Sequence, residues 1–424
     1  MLNSSTRKLL YLLPIILLSL SFQDSKDNKE GKTNRILEAQ IKFMQGEQFA
    51  QKGIGGHGIR IAVLDGGFPG VETHPALKHL IDGNQIIATW NFVKESKNVY
   101  TGVSHGTEVL SCIAGIHEGK PMGLAPEAEF LLAITEKKGE PLEEELNWAR
   151  AVDWAIENGA NIIQSSLGYT YQRYFKSDLD GKHSICARAA ARAARKGVLI
   201  INCMGNEGMS KWKTMVTPAD ADSILSVGGV DPLTGLAAGF SSLGPTADKR
   251  LKPNICASGT VVAANPKGDV HLVDGTSFSA PLVTGFAACT WQMNRSLSAQ
   301  EILSLIEKSG HLYPYYDYSH GYGIPQASRI IGLNNTRREK QLILSADDRN
   351  FSVGIPELDT AFKSTLPDHY LYYHLSNPSG FLTRYGVYRV LPGDTLLIRK
   401  SGFKPGSVFQ CNFNGETSTW KETR

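Results

Sequence analysis

The sequence predicts an α/β fold of three layers, with a mainly parallel central sheet between helices, followed by a small all-β, sandwich-like domain. Through most of the chain, short runs of consecutive apolar residues alternate with helical patterns, as at 61–64 and 143–158. Strands that are apolar throughout are typical of a parallel sheet covered on both faces. After about residue 331 the helical patterns stop, and short β-rich runs separated by turns replace them.

The elements of the first domain follow from these patterns in chain order. Apolar runs predict strands at 61–64, 130–134, 161–163, 198–201 and 224–227, and helical spacing predicts helices at 143–158, 184–196, 278–292 and 298–309. Past the change of pattern, strands are predicted at 341–344, 370–375, 385–391, 395–399 and 408–413. We therefore expect one domain over 37–331 and a β-rich accessory domain over 332–424.

Composition and charge narrow the class of protein. Of the 424 residues, 42% are hydrophobic and 20% are charged, which excludes a disordered chain, a collagen and a multi-span membrane protein. Lys and Arg number 44 against 41 Asp and Glu, a net charge of +3, so charge predicts no nucleic-acid partner. The six cysteines include no C-x-x-C pair; we interpret them mainly as buried small hydrophobes, with one disulfide left open.

The first 22 residues have the pattern of a secretory signal peptide. Arg7 and Lys8 precede an apolar run over 9–22, with Ser19 and Ser21 as small residues for a cleavage site. The run is too short for a spanning helix, which needs ~20 residues; a retained anchor is the alternative. We expect a polar linker or short leader over 23–36, and export to the periplasm, the cell surface or the medium, with no transmembrane domain after signal removal.

Three residues in separate segments suggest chemistry when they are taken together. Alone, Asp65 would be a turn former, His105 a structural or solvated histidine, and Ser277 a helix cap. Asp65, however, follows the predicted strand at 61–64, His105 precedes a helix-like run at 110–114, and Ser277 precedes the predicted helix at 278–292. Such positions can converge at one edge of a parallel sheet. A Ser hydroxyl becomes a nucleophile when an imidazole takes its proton, and a carboxylate holds that imidazole in the correct tautomer.

The order Asp, His, Ser and its flanking residues resemble the subtilisin-like serine proteases, the subtilase family. The matching segments are IAVLDGG at 61–67, HGTEVLSCIAG at 105–115 and GTSFSAPLVTG at 275–285. The resemblance covers roughly 37–331 and implies a subtilisin-like fold and a catalytic triad of Asp65, His105 and Ser277. A weaker resemblance, in segments outside the triad, points to secreted subtilases of Bacteroidetes-type bacteria.

The resemblance also implies roles for the residues around the triad. Asn206 corresponds to the side chain of the oxyanion hole, which stabilises the negative oxygen formed on the attacked carbonyl. Two further segments would bind an extended polypeptide substrate, one as a pairing strand and the other as a pocket wall: Ser166, Leu167 and Gly168, then Met204 and Gly205. The chain departs from the family at Gly66 and Gln164, among other positions, but at no residue of the proton path.

We therefore expect a secreted, monomeric serine endopeptidase that acts through a Ser acyl-enzyme. Two alternatives stay open: a binding module on an inactivated protease fold, and a transpeptidase or peptide-processing enzyme on the same fold. No cofactor is expected for catalysis, and no metal site is predicted. A structural Ca²⁺ stays open, because Asp178, Asp180 and Gly181 form a D-x-D-G turn, although a solvated acidic turn is the favoured interpretation.

Overall fold

The computed structural model describes residues 31–137, 139, 141–170, 173–332, 342–357 and 368–421. The predicted signal peptide lies outside these residues. In chain order the strands are β1 (Arg60–Asp65), β2 (Ile86–Asn91), β3 (Ile116–His117), β4 (Lys120–Pro121), β5 (Glu129–Ile134), β6 (Ile162–Ser165), β7 (Leu199–Cys203), β8 (Leu225–Val230), β9 (Ile255–Ser258), β10 (Thr260–Ala264), β11 (Val270–Asp274), β12 (Ile343–Ala346), β13 (Asn350–Gly354), β14 (Tyr370–Ser376), β15 (Leu382–Arg389), β16 (Thr395–Arg399), β17 (Val408–Phe413) and β18 (Glu416–Lys421). The helices are α1 (31–42), α2 (Glu47–Ala50), α3 (Lys78–Asp82), α4 (His105–Ala114), α5 (Glu143–Glu157), α6 (Ile185–Arg195), α7 (Thr276–Met293), α8 (Ala299–Ser309) and α9 (Ala327–Ile331).

A seven-stranded parallel sheet forms the middle layer, in the order β2-β5-β1-β6-β7-β8-β9. Side chains of β1 alternate between two cores: Ile61 and Val63 pack with α4, α7 and α8, whereas Ala62 and Leu64 pack with α5 and α6. Because both faces are covered, most residues of the central strands are apolar. The predicted three-layer α/β fold is confirmed.

Residues 31–36 are helical, whereas the sequence predicts a polar linker or short leader there. They form the first turns of α1, and Ile36 is almost fully buried, packed with Leu37 against Met122 and Val262. The side-chain amide of Gln40 donates to the Met122 carbonyl at 2.7 Å and accepts from the Val262 N–H at 2.8 Å. The polar residues before Ile36 suggested a linker, but tertiary packing of the next turns extends the helix back to residue 31; residues 23–30 lie outside the described residues.

A β-hairpin that the sequence analysis does not predict leads into α7. Strand β10 pairs antiparallel with β11, from Thr260 opposite Asp274 to Ala264 opposite Val270. The Ala264 N–H donates to the Ser111 hydroxyl on α4 at 2.9 Å. The hairpin therefore fixes the chain immediately before the helix that carries Ser277.

The C-terminal region consists of two antiparallel sheets, β12-β13-β16 and β15-β14-β17-β18. Their inner faces share one apolar core, in which the rings of Phe351 and Phe409 stack at 4.2 Å. The predicted β-rich region is confirmed, while its boundary at residue 332 stays a prediction. This region contacts the α/β part through aromatic residues, including the stacked rings of Tyr315 and His374 at 5.0 Å.

All six cysteines are buried and unpaired in the structure, in agreement with their interpretation as small hydrophobes. Within the described residues, no helix is both long enough and apolar enough to cross a membrane.

Candidate active site

Asp65 and His105 lie next to each other at the carboxyl edge of the central sheet. Asp65 is the last residue of β1 and is fully buried, while His105 is the first residue of α4. The His105 Nδ1 lies 2.9 Å from each carboxylate oxygen of Asp65, and the Gly66 N–H donates to Asp65 Oδ1 at 2.7 Å. A carboxylate at Nδ1 leaves Nε2 as the nitrogen that can accept a proton.

The charges around His105 set its pKa. Burial of the imidazole acts to lower its pKa, but the charge of Asp65 and the hydrogen bond to it, together with the charges of Glu108 and Glu136, outweigh burial and raise the pKa to about 8. Glu108 lies one turn further along α4, where it accepts from the Ser104 hydroxyl at 3.1 Å and lies 3.2 Å from His271 Nε2. The site therefore favours the imidazolium more than water does.

Ser277 lies at the start of α7, where the first backbone N–H groups have no acceptor within the helix. Its hydroxyl donates to the Ser166 carbonyl at 3.3 Å, and the Ser166 hydroxyl donates to the Ser277 carbonyl at 2.6 Å. Among the hydrogen bonds of the described residues, none joins Ser277 to His105. The His105 ring nevertheless lies beside the same turn of α7, 5.6 Å from the Phe278 ring, and such contacts often tighten only with substrate.

Asn206 is exposed three residues past the end of β7, with its amide orientation fixed. Its Oδ1 accepts from the Thr276 N–H at 2.9 Å and from the Thr276 hydroxyl at 3.0 Å. That hydroxyl in turn accepts from the Gly205 N–H at 3.0 Å. With its oxygen occupied, the Asn206 side chain presents its NH₂ group as the remaining donor, next to the residue that precedes Ser277.

The segments that follow β6 and β7 both contact the start of α7. Ser166 and Leu167 are buried, and the Gln164 side chain donates to the Ser166 hydroxyl at 2.7 Å. Met204 is fully buried, and Gly205 has a left-handed φ of 100°. The predicted substrate residues are thus grouped at the sheet edge, with Asp65, His105, Asn206 and Ser277 in the same region.

The two carboxylates of the D-x-D-G turn accept hydrogen bonds from residues close to them in the sequence. Asp178 accepts from the Phe175 N–H at 2.9 Å, and Asp180 accepts from the Lys182 N–H and the His183 ring, each at 2.9 Å. In the part of the chain that the structure describes, no group of three or more His, Cys, Asp or Glu residues could hold a metal ion. This turn does not fit a calcium loop, and a calcium ion held elsewhere stays an open prediction.

Two residues at the site, Thr276 and Val216, are not predicted from the sequence. Thr276 lies in the GTSFSAPLVTG segment, yet its role depends on its contact with Asn206, 70 positions earlier in the chain. Val216, whose methyl groups lie against Gly168 and Gly205, follows an irregular loop after Asn206. No local pattern marks it, because its place depends on how that loop returns to the sheet edge.

Comparisons with known proteins identify a family and several similar proteins. Residues 56–324 match the model of the Subtilase family. The chain is similar to a thermostable alkaline protease of Halalkalibacterium halodurans, at 27% identity over 305 residues that cover 71% of this chain and 75% of that protein. It is also similar to Subtilisin BL of Lederbergia lenta, at 29% identity covering 62% and 87%, and to the major intracellular serine protease of Bacillus subtilis, at 30% covering 58% and 73%.

Solved structures share the fold of the α/β part. The structure of MycP1 with its N-terminal propeptide removed has a TM-score of 0.57 at 22% identity, covering 69% of this chain and 96% of that one. The prenylagaramide maturation protease PagA has a TM-score of 0.54 at 25% identity, covering 68% and 97%. These matches do not bear on the resemblance to Bacteroidetes-type enzymes, which stays a prediction.

Proposed function

This chain belongs to the subtilase family and is a serine endopeptidase, and from that premise we propose that Asp65, His105 and Ser277 are its catalytic triad. The observation that carries the proposal is the pair of 2.9 Å contacts between His105 Nδ1 and the buried Asp65 carboxylate, beside the helix start that holds Ser277. His105 Nε2 would remove the Ser277 proton as the hydroxyl oxygen attacks the peptide carbonyl.

The second half of the reaction uses the same groups. The imidazolium of His105 gives its proton to the leaving amine, and an acyl-enzyme on Ser277 remains. A water molecule then attacks this ester while His105 takes the proton from the water. The Ser277 oxygen recovers its proton when the acid product leaves.

Asn206 would stabilise the negative oxygen of each tetrahedral intermediate, with the Ser277 backbone N–H as the second donor. Support comes from Thr276, which occupies the amide oxygen of Asn206 and so leaves its NH₂ group to donate. A donor fixed before reaction stabilises the developing charge without reorganisation.

Asn206→Ala is expected to lower kcat by about 10²–10³ with little change in KM, the size known for removing this donor in subtilisin. Steady-state kinetics on a chromogenic peptide amide would measure the change. Asn158→Ala is the matched control, because Asn158 closes helix α5 by donating to the Trp154 carbonyl at 2.8 Å. A similar kcat for Asn206→Ala and the wild type would contradict the assignment.

The substrate would be an extended polypeptide. We propose that Ser166, Leu167 and Gly168 pair with its main chain, and that Met204 and Gly205 line the pocket for the residue before the scissile bond. Main-chain pairing provides affinity that tolerates many sequences, and the pocket provides preference. We further propose a secreted monomer that needs no cofactor for catalysis.

The pH dependence of kcat/KM should follow the His105 pKa. His105 must be neutral to accept the Ser277 proton, and its pKa is raised to about 8; kcat/KM should therefore rise between pH 6 and 9 with a midpoint near 8. Glu108→Gln removes a charge that raises this pKa, so its midpoint should fall below that of the wild type. A flat profile over the same range would be inconsistent with His105 as the base.

Three measurements on the exported protein separate the proposal from its alternatives. A protease should clear casein and be labelled on Ser277 by a fluorophosphonate, and the label should be lost in Ser277→Ala. Absence of labelling would favour a binding module. Labelling without loss of casein, with transfer of the acyl group to an added amine, would favour a transpeptidase or processing enzyme.

A further inference from the structure

Gln164 is a buried amide in the middle of the central sheet. It is the third residue of β6, is fully buried, and lies beside Val63 of β1 and Ile201 of β7. Both neighbours belong to the apolar core that packs with α4 and α7. Among the hydrogen bonds of the described residues, none involves the Gln164 Oε1 atom. Burying a polar oxygen without a partner costs stability, so packing alone would favour an apolar side chain at this position.

The carbonyl of Ser277 lacks the donor that a helix usually provides. In α7 that donor would be the N–H of the residue four positions later, which is Pro281, and proline has no N–H. The Ser166 hydroxyl takes its place and donates to the Ser277 carbonyl at 2.6 Å. The turn of α7 that carries Ser277 is therefore tied to the segment after β6 by a side-chain hydrogen bond.

The chemistry of the three groups fixes the direction of their hydrogen bonds. The Ser277 carbonyl oxygen can only accept, so the single proton of the Ser166 hydroxyl is used on it. That hydroxyl must then accept from Gln164, whose NH₂ group lies 2.7 Å away. The Gln164 amide, the Ser166 hydroxyl and the Ser277 carbonyl thus form one chain of hydrogen bonds. Because the Gln164 side chain is enclosed in the sheet, its amide holds the Ser166 hydroxyl in the rotamer that reaches Ser277.

We propose that Gln164 is a positioning residue, which acts through the Ser166 hydroxyl to hold the first turn of α7, and with it Ser277, in place for attack. The inference rests on the proposed function, since it concerns the nucleophile of that same site. Without the amide, the Ser166 hydroxyl is free to rotate and the Ser277 carbonyl loses its donor. A displacement of about 1 Å at a reacting group costs about 10²-fold in rate. Gln164 is also a position at which the chain departs from the subtilase family, so the resemblance does not assign this role.

Gln164→Met tests the role, because methionine has nearly the same length and no donor. We expect kcat on a peptide amide, and the rate of labelling by a fluorophosphonate, to fall about 10–100-fold, while KM changes less than about threefold. The melting temperature should be unchanged or higher, whereas loss of a residue needed only for folding would lower it. Gln326→Met is the matched control, since Gln326 is also buried and its amide donates to the Phe43 carbonyl at 2.8 Å, at the start of α9. This control should lower the melting temperature and leave kcat unchanged.

Ser166→Ala and the double variant with Gln164→Met show whether the effect passes through the Ser166 hydroxyl. Ser166→Ala keeps the main chain that is proposed to pair with the substrate. If the three groups form one chain, Ser166→Ala should lower kcat as much as Gln164→Met does, and the double variant should lose no more than either single variant. Losses that multiply in the double variant would overturn the proposal. A kcat for Gln164→Met within about threefold of the wild type would overturn it as well.

The outcomes distinguish this inference from the proposed function. If Gln164→Met does not fold, Gln164→Leu replaces it, and Ser166→Ala must still show the loss of about 10–100-fold. A wild type labelled on Ser277, with Gln164 and Ser166 variants labelled at the same rate, would overturn the positioning role alone. A folded wild type that is not labelled and cleaves no peptide would overturn the proposed function itself.

Discussion

Ser277→Ala is expected to lower kcat by about 10⁶ while leaving the fold intact, the size known for loss of the nucleophile in subtilisin. The reason is that no acyl-enzyme can form without the hydroxyl oxygen. The Ser277 side chain is only half-buried at the start of α7, so removing its oxygen leaves no large cavity. Burst and steady-state kinetics on a peptide ester, with circular dichroism to check folding, would measure both parts of the expectation.

A serine that caps a helix away from the site is the control for Ser277→Ala. Ser298 caps α8, where its hydroxyl accepts from the Glu301 N–H at 3.4 Å and its own N–H donates to the Glu301 carboxylate at 2.8 Å. Ser298→Ala should cost about 1 kcal/mol of stability, as loss of a cap usually does, and leave kcat unchanged. If both variants lost activity equally, the loss would be structural and Ser277 would not be the nucleophile.

Asp65→Asn should lower kcat by about 10⁴. The amide keeps the shape of the carboxylate, but its NH₂ group can favour the wrong tautomer of His105, with the proton on Nε2. It also removes the charge that does most to raise the His105 pKa, so the residual activity should have its pH midpoint below 8. A kcat within tenfold of the wild type at pH 9 would exclude the proposed role of Asp65.

The chain contains a second buried Asp–His pair that serves as the control for Asp65→Asn. Asp317 is fully buried, and its carboxylate oxygens each lie 3.1 Å from His320 Nδ1. The pair lies between α8 and α9, where the His320 Nε2 accepts from the Ala237 N–H at 2.9 Å. Asp317→Asn should lower the melting temperature without changing kcat, because this pair only holds loops together.

Five of the seven strands of the central sheet could be predicted because they are apolar runs; β2 and β9 were not predicted. Strands β1, β5 and β7 were predicted within two residues of their observed ends, since a continuous apolar run has a sharp boundary in the sequence. Helix α1 and the hairpin of β10 and β11 could not be predicted from the sequence. Their residues are ordered by distant partners, such as the Met122 carbonyl that accepts from Gln40, and local patterns do not contain that information.

The site, too, contains residues that could be predicted from the sequence and residues that could not. Asp65 and His105 could be predicted because each lies at a boundary between an apolar run and a turn or helix, within a family motif, and the structure joins them directly. The orientation of Asn206 depends on Thr276, which lies 70 positions later in the chain. The position of Val216 depends on its contact with Gly168, 48 positions earlier. These contacts depend on the conformations of the loops, which a single sequence specifies only weakly.

The packing of α1 has a consequence for proteolytic trimming of the N-terminus. Ile36 and Leu37 belong to the same apolar cluster as Val262 of β10, and Gln40 clamps that strand through its N–H. A cut beyond this helix would extract buried side chains and release the hairpin that leads to the nucleophile. If the N-terminus is cleaved, we therefore expect an active enzyme to keep α1 packed against this hairpin.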